Sequence, residues 1–145
     1  MKKYSILFLL FILSEFGNMM VAQSLDIHIR NIRNKNGQLC LAIFSDETDF
    51  KEEKTCWAMN CSKKDIINGE FHILIPYKSG VWGFSVLDDE NSNGRMEYNF
   101  LGLPREGFGF SNYIHKGIHR PVFNDFSFVI NKNETKEITV QLEYF

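Results

Sequence analysis

The residues best suited to chemistry in this sequence lie in the stretch DENSNGRME, which runs from Asp89 to Glu97. Counted from Asp89, side chains with an oxygen fall at positions 1, 3 and 5, glycine falls at position 6, and Glu97 falls at position 9. Calcium is a hard cation that takes six to eight oxygens, and calcium loops supply them from alternate positions around a sharp glycine turn. The pattern predicts a calcium site formed by Asp89, Asn91, Asn93, Glu97 and the backbone carbonyl of Arg95.

The same loop differs from the helix-flanked calcium motif at its far end. Position 12, where that motif has a glutamate with two metal-binding oxygens, is Phe100 here, and the loop follows a predicted strand. The remaining ligands must come from Asp88, Asn99, Glu106 or water. Because only two of the five loop positions carry carboxylates, we expect weak binding, on the order of 10⁻⁴–10⁻³ M, which suits a calcium-rich environment outside the cell.

An ordinary polar turn accounts for the same residues without a cation. Asn and Asp side chains accept hydrogen bonds from nearby backbone N–H groups, and glycine adopts the positive φ that tight turns need. Both interpretations stay open at this point, and the unbroken D-x-N-x-N-G-x-x-E pattern favours calcium.

A stretch rich in glycine and aromatic residues, GLPREGFGFSN, follows the loop. It does not open a predicted helix, so it does not fit a phosphate cradle at a helix N-terminus. We expect it to fold back beside the Asp89 turn, with Phe108 and Phe110 plugging one end of the fold. The alternative is a surface that binds a carbohydrate or a peptide through Trp82, Phe108, Phe110 or Tyr113, and exposure of these rings would favour it.

Enzymatic activity is not expected. Asp89, Glu97 and Glu106 offer the kind of acid pair that glycoside hydrolases use. The sequence contains no nucleophile elbow, no H-E-x-x-H motif and no Cys–His signature. A hydrolase is therefore the least favoured class, after a structural or interaction module and a ligand-binding module.

The histidines indicate no site. His115 and His119 have the spacing of two ligands on one helix face, but Gly117 between them disfavours a helix, so we expect a solvent-facing loop. His28 and His72 lie on the polar sides of predicted strands.

The first 22 residues have the layout of a secretory signal peptide. Two lysines precede an apolar run from Ile6 to Leu13, and the small residue Ala22 marks the expected cleavage point. This run is shorter than the about 20 apolar residues that span a bilayer, and no later stretch is long enough. We expect a protein exported to the periplasm or the cell exterior, with residues 1–22 as signal peptide.

Residues 23–145 then form one domain of common size. The whole chain has a formal charge of −2, and Lys2, Lys3 and Glu15 contribute +1, so the mature charge is −2 − (+1) = −3. No clustered basic face indicates nucleic acid. We expect an unidentified protein or glycan as partner.

Three cysteines, Cys40, Cys56 and Cys61, fall within the exported part. Oxidising compartments favour disulfides, and three pairings are possible. The short CWAMNC spacing favours a Cys56–Cys61 bridge. Cys40 lies in an apolar stretch and is expected to be a small buried hydrophobe.

Strands must position all these residues. LDIHIRNI alternates apolar and polar residues, QLCLAIFS is apolar on both faces as in a central strand, and VWGFSVL runs directly into the Asp89 loop. Further strands are predicted at EFHILIP, FNDFSFVI and KEITVQLEYF, with irregular segments at residues 46–64 and 100–120 and no helical period. We predict an all-β domain, an immunoglobulin-like or transthyretin-like antiparallel β-sandwich of about seven strands.

The stretch LDDENSNGRMEYNFLGLPREGFGFSN resembles the signature of a bacterial family, domain of unknown function 2141. That family has D-E-N-x-N-G, then F-x-G-x-P-x-E-G-x-G-F-S-N, then a phenylalanine-rich strand, which correspond here to residues 89–94, 100–112 and 123–128. The family usually has Asp where Glu97 stands and often His where Asp88 stands. The resemblance implies an exported, predominantly β protein and no particular reaction.

Overall fold

The computed structural model describes residues 23–145, and the predicted signal peptide lies outside the described residues. Their strands are β1 (Ser24–Arg30), β2 (Gln38–Phe44), β3 (Trp57–Ser62), β4 (Phe71–Pro76), β5 (Gly80–Asp89), β6 (Gly107–Phe110), β7 (Ser127–Ile130) and β8 (Thr135–Gln141). The helices are α1 (Glu47–Lys51) and α2 (Phe123–Phe126). No helix in this part of the chain is long and apolar enough to cross a membrane.

The strands form two sheets. β1 lies at the centre of a three-stranded sheet, between β4, which is antiparallel to it, and β8, which is parallel. The larger sheet has the order β3-β2-β5-β6, and β7 pairs with the beginning of β5 while β6 pairs with its end. All pairings in the larger sheet are antiparallel. The predicted all-β sandwich is confirmed, and β1–β8 is its one parallel pair among the described strands.

The main core lies between the two sheets. Alternate residues of β1, β5 and β8 supply much of it: Leu25, Ile27, Ile29, Trp82, Phe84, Val86, Ile138 and Val140. Burial of one such side chain contributes about 1.5–3 kcal/mol relative to exposure, so the alternation fixes which face of each strand points inward. Residues between them, such as Asp26 and His28, therefore point outward.

A second cluster, which is aromatic, covers the outer face of the larger sheet. Its buried members are Phe44, Phe50, Phe110, Phe123 and Phe126. α1 and α2 pack here, and Gly83 of β5 lies so close beneath that a Cβ on it would be 2.5 Å from the Phe126 ring. Phe108 and Phe110 were expected to plug one end of the sandwich, and this placement is wrong, because both pack on the outer face of the larger sheet.

Three segments differ from the predicted pattern. Residues 46–64 contain α1 and β3, residues 100–120 contain β6, and FNDFSFVI begins as α2 before it becomes β7. α1 is too short to show a helical period, and it begins where the Asp46 side chain accepts a hydrogen bond from the Asp49 N–H at 2.9 Å. β3 is an edge strand with mostly exposed side chains, so apolar residues do not alternate along it.

The predicted Cys56–Cys61 disulfide is wrong. All three cysteines are free. Cys61 lies in β3 and Cys56 directly precedes that strand, and five residues of extended chain span about 16 Å. A disulfide requires Cα atoms roughly 4.4–6.8 Å apart. Cys40 is half-buried on the outer face of β2, where a buried hydrophobe was expected.

Candidate functional site

β5 ends in two consecutive aspartates that point to opposite faces of the larger sheet. Trp82, Phe84 and Val86 face the core, so the two-residue period of the strand places Asp88 on the core side and Asp89 on the outer side. Both side chains are fully buried. Burial of a carboxylate is costly unless the group is paired or hydrogen-bonded, and the two aspartates meet this requirement in different ways.

Asp88 belongs to a buried network inside the sandwich. Its Oδ1 forms an ion pair with Lys63, and both side chains are fully buried. The Tyr144 hydroxyl donates to Asp88 Oδ2 at 2.6 Å, and Lys63 Nζ donates to Asn34 Oδ1 at 3.2 Å. Burial and the hydrogen bond to Asp88 raise the pKa of Tyr144. Asp88 is therefore engaged inside the fold and does not add a ligand to the loop.

Asp89 anchors the loop that follows β5. Its Oδ1 accepts from the Asn93 N–H at 3.0 Å, and its Oδ2 accepts from the Gly94 N–H at 2.8 Å and from Gln38 Nε2 at 2.7 Å. Burial alone raises the pKa of the Asp89 carboxyl, but these hydrogen bonds outweigh burial and leave the pKa below its ordinary value. The aspartate is thus held as an anion inside the turn.

The other predicted ligands continue this turn. Asn91 Oδ1 accepts from the Asn93 N–H at 3.0 Å, and Asn93 Oδ1 accepts from the Arg95 N–H at 2.9 Å. The side-chain amides of Asn91 and Asn93 both donate to the Glu97 carboxylate at 3.1 Å. The structure therefore brings Asp89, Asn91, Asn93, Arg95 and Glu97 together in one hydrogen-bonded loop.

A hairpin returns the chain to this loop. Tyr98 and Pro104 form an antiparallel bridge, and the Arg105 N–H donates to the Glu97 carbonyl at 2.9 Å. At the turn, Asn99 Oδ1 accepts from the N–H groups of two later residues, at 2.9 and 3.0 Å. Asn99, which was a possible calcium ligand, is thereby used within the hairpin. We call residues 97–105 the return hairpin.

Glu106 follows the return hairpin directly and is buried beside the loop, only 4% exposed. Its Oε1 accepts from the Glu90 N–H at 3.1 Å. Its Oε2 is buried and has no hydrogen-bond partner within the described residues. Burial and the neighbouring charges of Asp89 and Glu97 raise the pKa of Glu106, and they outweigh the nearby backbone N–H groups of Glu90 and Glu97, which lower it. Buried acceptors without a donor are rare in native structures, and an unseen ion is one explanation for them.

The site has spare capacity for a cation. A carboxylate or amide oxygen carries two lone pairs, and Asp89 Oδ1, Asn91 Oδ1 and Asn93 Oδ1 each accept one hydrogen bond. Glu106 Oε2 accepts none. The carboxylate oxygens of Asp89, Glu97 and Glu106 do not all lie within 4.8 Å of one another. A cation bound to all three would therefore require at least one of these side chains to move.

The loop acids are also unbalanced in charge. Glu90 forms a bidentate pair with Arg33, at 2.5 and 2.9 Å. By contrast, Asp89, Glu97 and Glu106 have no ion-pair partner within residues 23–145. These three carboxylates attract a cation, although Arg33 and Arg105 line the same cavity as Glu97 and Glu106 and reduce that attraction.

The aromatic residues proposed for ligand binding are mostly covered. Trp82 and Phe110 are buried, and Phe108 and Tyr113 are half-buried. His115 was expected to face solvent, but it is half-buried and packs against Phe108 with ring centroids 5.5 Å apart. Exposed large apolar residues lie on the return hairpin, at Tyr98, Phe100 and Leu101, and further along the chain at Ile114 and Ile118.

Cys40 is expected to react with iodoacetamide much more slowly than Cys56. Burial and the adjacent Asp89 carboxylate raise the pKa of the Cys40 thiol to about 12, whereas Cys56 is exposed. Since the thiolate is the nucleophile, alkylation of Cys40 at pH 8 should be slower by roughly a hundredfold or more. Mass spectrometry over a time course measures both rates. Equal rates would contradict the packing of Cys40 against Asp89.

Two groups of residues were not predicted from the sequence. Lys63 lies in the segment predicted to be irregular, residues 46–64, and nothing local indicates that it reaches a buried aspartate. His28 and His72 appeared to be unrelated, because their pairing depends on the register between β1 and β4. Asp26 and His28 are two residues apart in one predicted strand and therefore share a face. This was the sign in the sequence that their side chains lie close together.

The family model described as "Uncharacterized protein conserved in bacteria (DUF2141)" matches residues 27–139. This range extends from β1 to β8 and includes both sheets, the Asp89 loop and the return hairpin. Searches of curated proteins and of solved structures find no match.

Proposed function

Because this chain belongs to the bacterial family DUF2141, whose description assigns no activity, we propose a function from its own geometry: an exported β-sandwich module with a weak calcium site at the Asp89 loop. Its role is structural or in molecular interaction, in the cell envelope or outside the cell. The partner is a protein or a glycan.

The buried, unpartnered Oε2 of Glu106 carries this proposal. Leaving a buried acceptor without a donor costs roughly 1–3 kcal/mol, and more if the group is charged. A cation shared between this oxygen and the Asp89 loop would remove that cost. The pattern of Asp89, Asn91 and Asn93 supplies further oxygens at the spacing that calcium loops use.

The chemistry of the oxygens favours calcium over other cations. All the candidate ligands are carboxylate, amide or carbonyl oxygens, which suit hard ions such as calcium and magnesium, whereas zinc and copper favour nitrogen or sulfur. Magnesium demands near-ideal octahedral geometry, whereas calcium accepts irregular shells of six to eight oxygens. A loop in which at least one acid must move to complete the coordination shell fits the less demanding ion.

Calcium at this site would join the end of β5 to the return hairpin. That hairpin presents Phe100, which is 94% exposed, together with Leu101 and Tyr98. Exposed aromatic and apolar residues at the tip of a loop are typical of a contact surface. The cation would thus hold a contact surface in one orientation, which supports a role in interaction.

A carbohydrate- or peptide-binding module is the second candidate, and the exposure of Tyr98 and Phe100 favours it. Aromatic rings of this kind stack on sugars or on apolar side chains. Loss of binding to immobilised glycans or peptides in Phe100→Ala, with an unchanged response to calcium, would identify this surface. We propose no catalytic role.

Calcium is expected to raise the thermal stability of the purified protein. At a calcium concentration ten times Kd, the free energy of unfolding should rise by about 1.4 kcal/mol. For a domain of this size, that corresponds to a Tm increase of roughly 4–7 °C. The measurement compares thermal unfolding in millimolar calcium, in millimolar magnesium and in chelator.

Two variants and one control make this test specific. Glu106→Gln and Asp89→Asn should abolish or strongly reduce the calcium-induced shift, while Asp65→Asn, at an exposed acid outside the site, should retain it in full. Glu106→Gln keeps the test valid if Asp89→Asn fails to fold. No shift at several millimolar calcium, or equal shifts in all variants, would leave the loop as a hydrogen-bonded turn.

A further inference from the structure

The outer face of the three-stranded sheet carries a second group of side chains with ligand atoms. Leu25, Ile27 and Ile29 of β1 face the core, so Asp26 and His28 point to the opposite, solvent-facing side. The antiparallel register of β1 and β4 places His72 directly across from His28. On the other side of β1, the parallel register with β8 places Glu137 beside Asp26.

These side chains converge. His72 Nε2 is hydrogen-bonded to Asp26 Oδ1, and His28 Nε2 lies 3.4 Å from the same oxygen. The imidazole rings of His28 and His72 are stacked, with centroids 4.4 Å apart and planes inclined by 16°. Glu137 Oε1 lies 4.0 Å from His28 Nε2. Within residues 23–145, Asp26, His28 and His72 are the one set of three His, Cys, Asp or Glu residues whose ligand atoms all lie within 4.8 Å.

The separations match those within a metal coordination shell. Zinc binds imidazole nitrogen and carboxylate oxygen at about 2.0–2.2 Å in tetrahedral geometry, which puts neighbouring ligand atoms roughly 3.3 Å apart. The distance from Asp26 Oδ1 to His28 Nε2 is already 3.4 Å. His72 is more than half exposed, so its ring can turn and an ion can enter from solvent.

A simpler account is a polar strand face with one Asp–His hydrogen bond. That account explains the contact between Asp26 and His72, and the strand register by itself brings the two imidazoles together. It does not require the Nε2 atoms of both rings to approach the same oxygen of Asp26, as they do here. Two imidazoles that share one carboxylate form the donor set that borderline divalent ions such as Zn²⁺ prefer, whereas calcium prefers oxygen alone.

We propose that Asp26, His28 and His72 form a binding site for a divalent transition-metal ion, with zinc as the ion that best fits the donor set. Glu137 or water completes the shell. The site lies on the smaller sheet and uses no residue of the Asp89 loop, so it is independent of the proposed calcium site.

Titration of the purified, metal-free protein with zinc chloride in a calorimeter tests this site. One zinc ion should bind per chain. Loss of an outer-shell partner already weakens metal affinity about 10–100-fold, so His28→Ala and His72→Ala, which remove direct ligands, should each weaken it about tenfold or more. Because both side chains point to solvent, both variants should keep the far-ultraviolet circular dichroism of the parent protein.

Three controls separate this site from unspecific binding. His119→Ala removes an exposed imidazole elsewhere and should leave zinc affinity unchanged. Glu106→Gln should also leave zinc affinity unchanged, and millimolar calcium should not compete. Absence of saturable zinc binding, or the same weakening in His119→Ala as in His72→Ala, would overturn the proposal without bearing on the calcium site.

Discussion

Lys63→Met is expected to lower the free energy of unfolding by about 3–5 kcal/mol, because it leaves the buried Asp88 carboxylate without its counter-ion. Both side chains are fully buried, and they form an ion pair within the sandwich. Methionine fills much of the space of the lysine stem but provides no charge and no donor for Asp88. The remaining donor to Asp88 is the Tyr144 hydroxyl, at 2.6 Å. A single neutral donor does not replace an ammonium group at a buried anion.

Urea unfolding measures this effect, with Lys64→Met as the matched control. Lys64 is the adjacent residue and is exposed, so its replacement should change stability by no more than about 0.5 kcal/mol. The double variant Lys63→Met/Asp88→Leu should recover much of the loss, since replacing both members of a buried pair by apolar groups is often close to neutral. Equal stabilities of Lys63→Met and Lys64→Met would show that the buried pair does not contribute as the structure indicates.

Phe126→Ala is expected to cost about 3–5 kcal/mol, because it opens a cavity at the centre of the aromatic cluster on the outer face of the larger sheet. Phe126 is 1% exposed. Its ring centroid lies 4.8 Å from that of Phe50 and 4.9 Å from that of Phe110. The ring also covers Gly83, which allows this close approach because it has no Cβ. Neighbouring rings cannot collapse into the space without leaving their own packing against the sheet.

Phe100→Ala is the control, since Phe100 is 94% exposed on the return hairpin. The same chemical change there should alter stability by no more than about 0.5 kcal/mol. The midpoint of urea unfolding should fall in Phe126→Ala with little change in slope, because cooperativity is retained. A loss below about 1 kcal/mol would mean that the cluster on the outer face contributes little to stability.

Periodicity determined much of the fold from sequence alone. The alternation of Leu25, Ile27 and Ile29 identified β1, and a run apolar on both faces identified β2 as a central strand. Such patterns are reliable because a strand between a core and solvent must sort its side chains by face. The same rule, extended along β5 from Trp82, Phe84 and Val86, places Asp88 inside the sandwich. The inward position of Asp88 could therefore be read from the sequence, but its pairing with Lys63 could not.

Local rules failed where an element is too short or too exposed to show a period. α1 and α2 have five and four residues, little more than one helical turn, so a repeat of 3.6 residues cannot be seen in them. β3 lies at an edge and exposes most of its side chains. The short spacing between Cys56 and Cys61 also gave a wrong prediction. Two cysteines five residues apart can form a disulfide only if the chain turns between them, and here the chain is extended along β3.

Sequence by itself placed Asp89, Asn91, Asn93, Arg95 and Glu97 in one turn, because the residues of a short loop are neighbours whatever surrounds it. Only the tertiary structure placed Glu106 beside the loop, since the return hairpin must fold back to bring it next to Glu90. Only the tertiary structure paired Lys63 with Asp88 and His28 with His72, because these contacts depend on the packing of distant segments and on the register between strands. Local sequence can determine which side chains share a face, but the partners across strands are determined by how the whole chain packs.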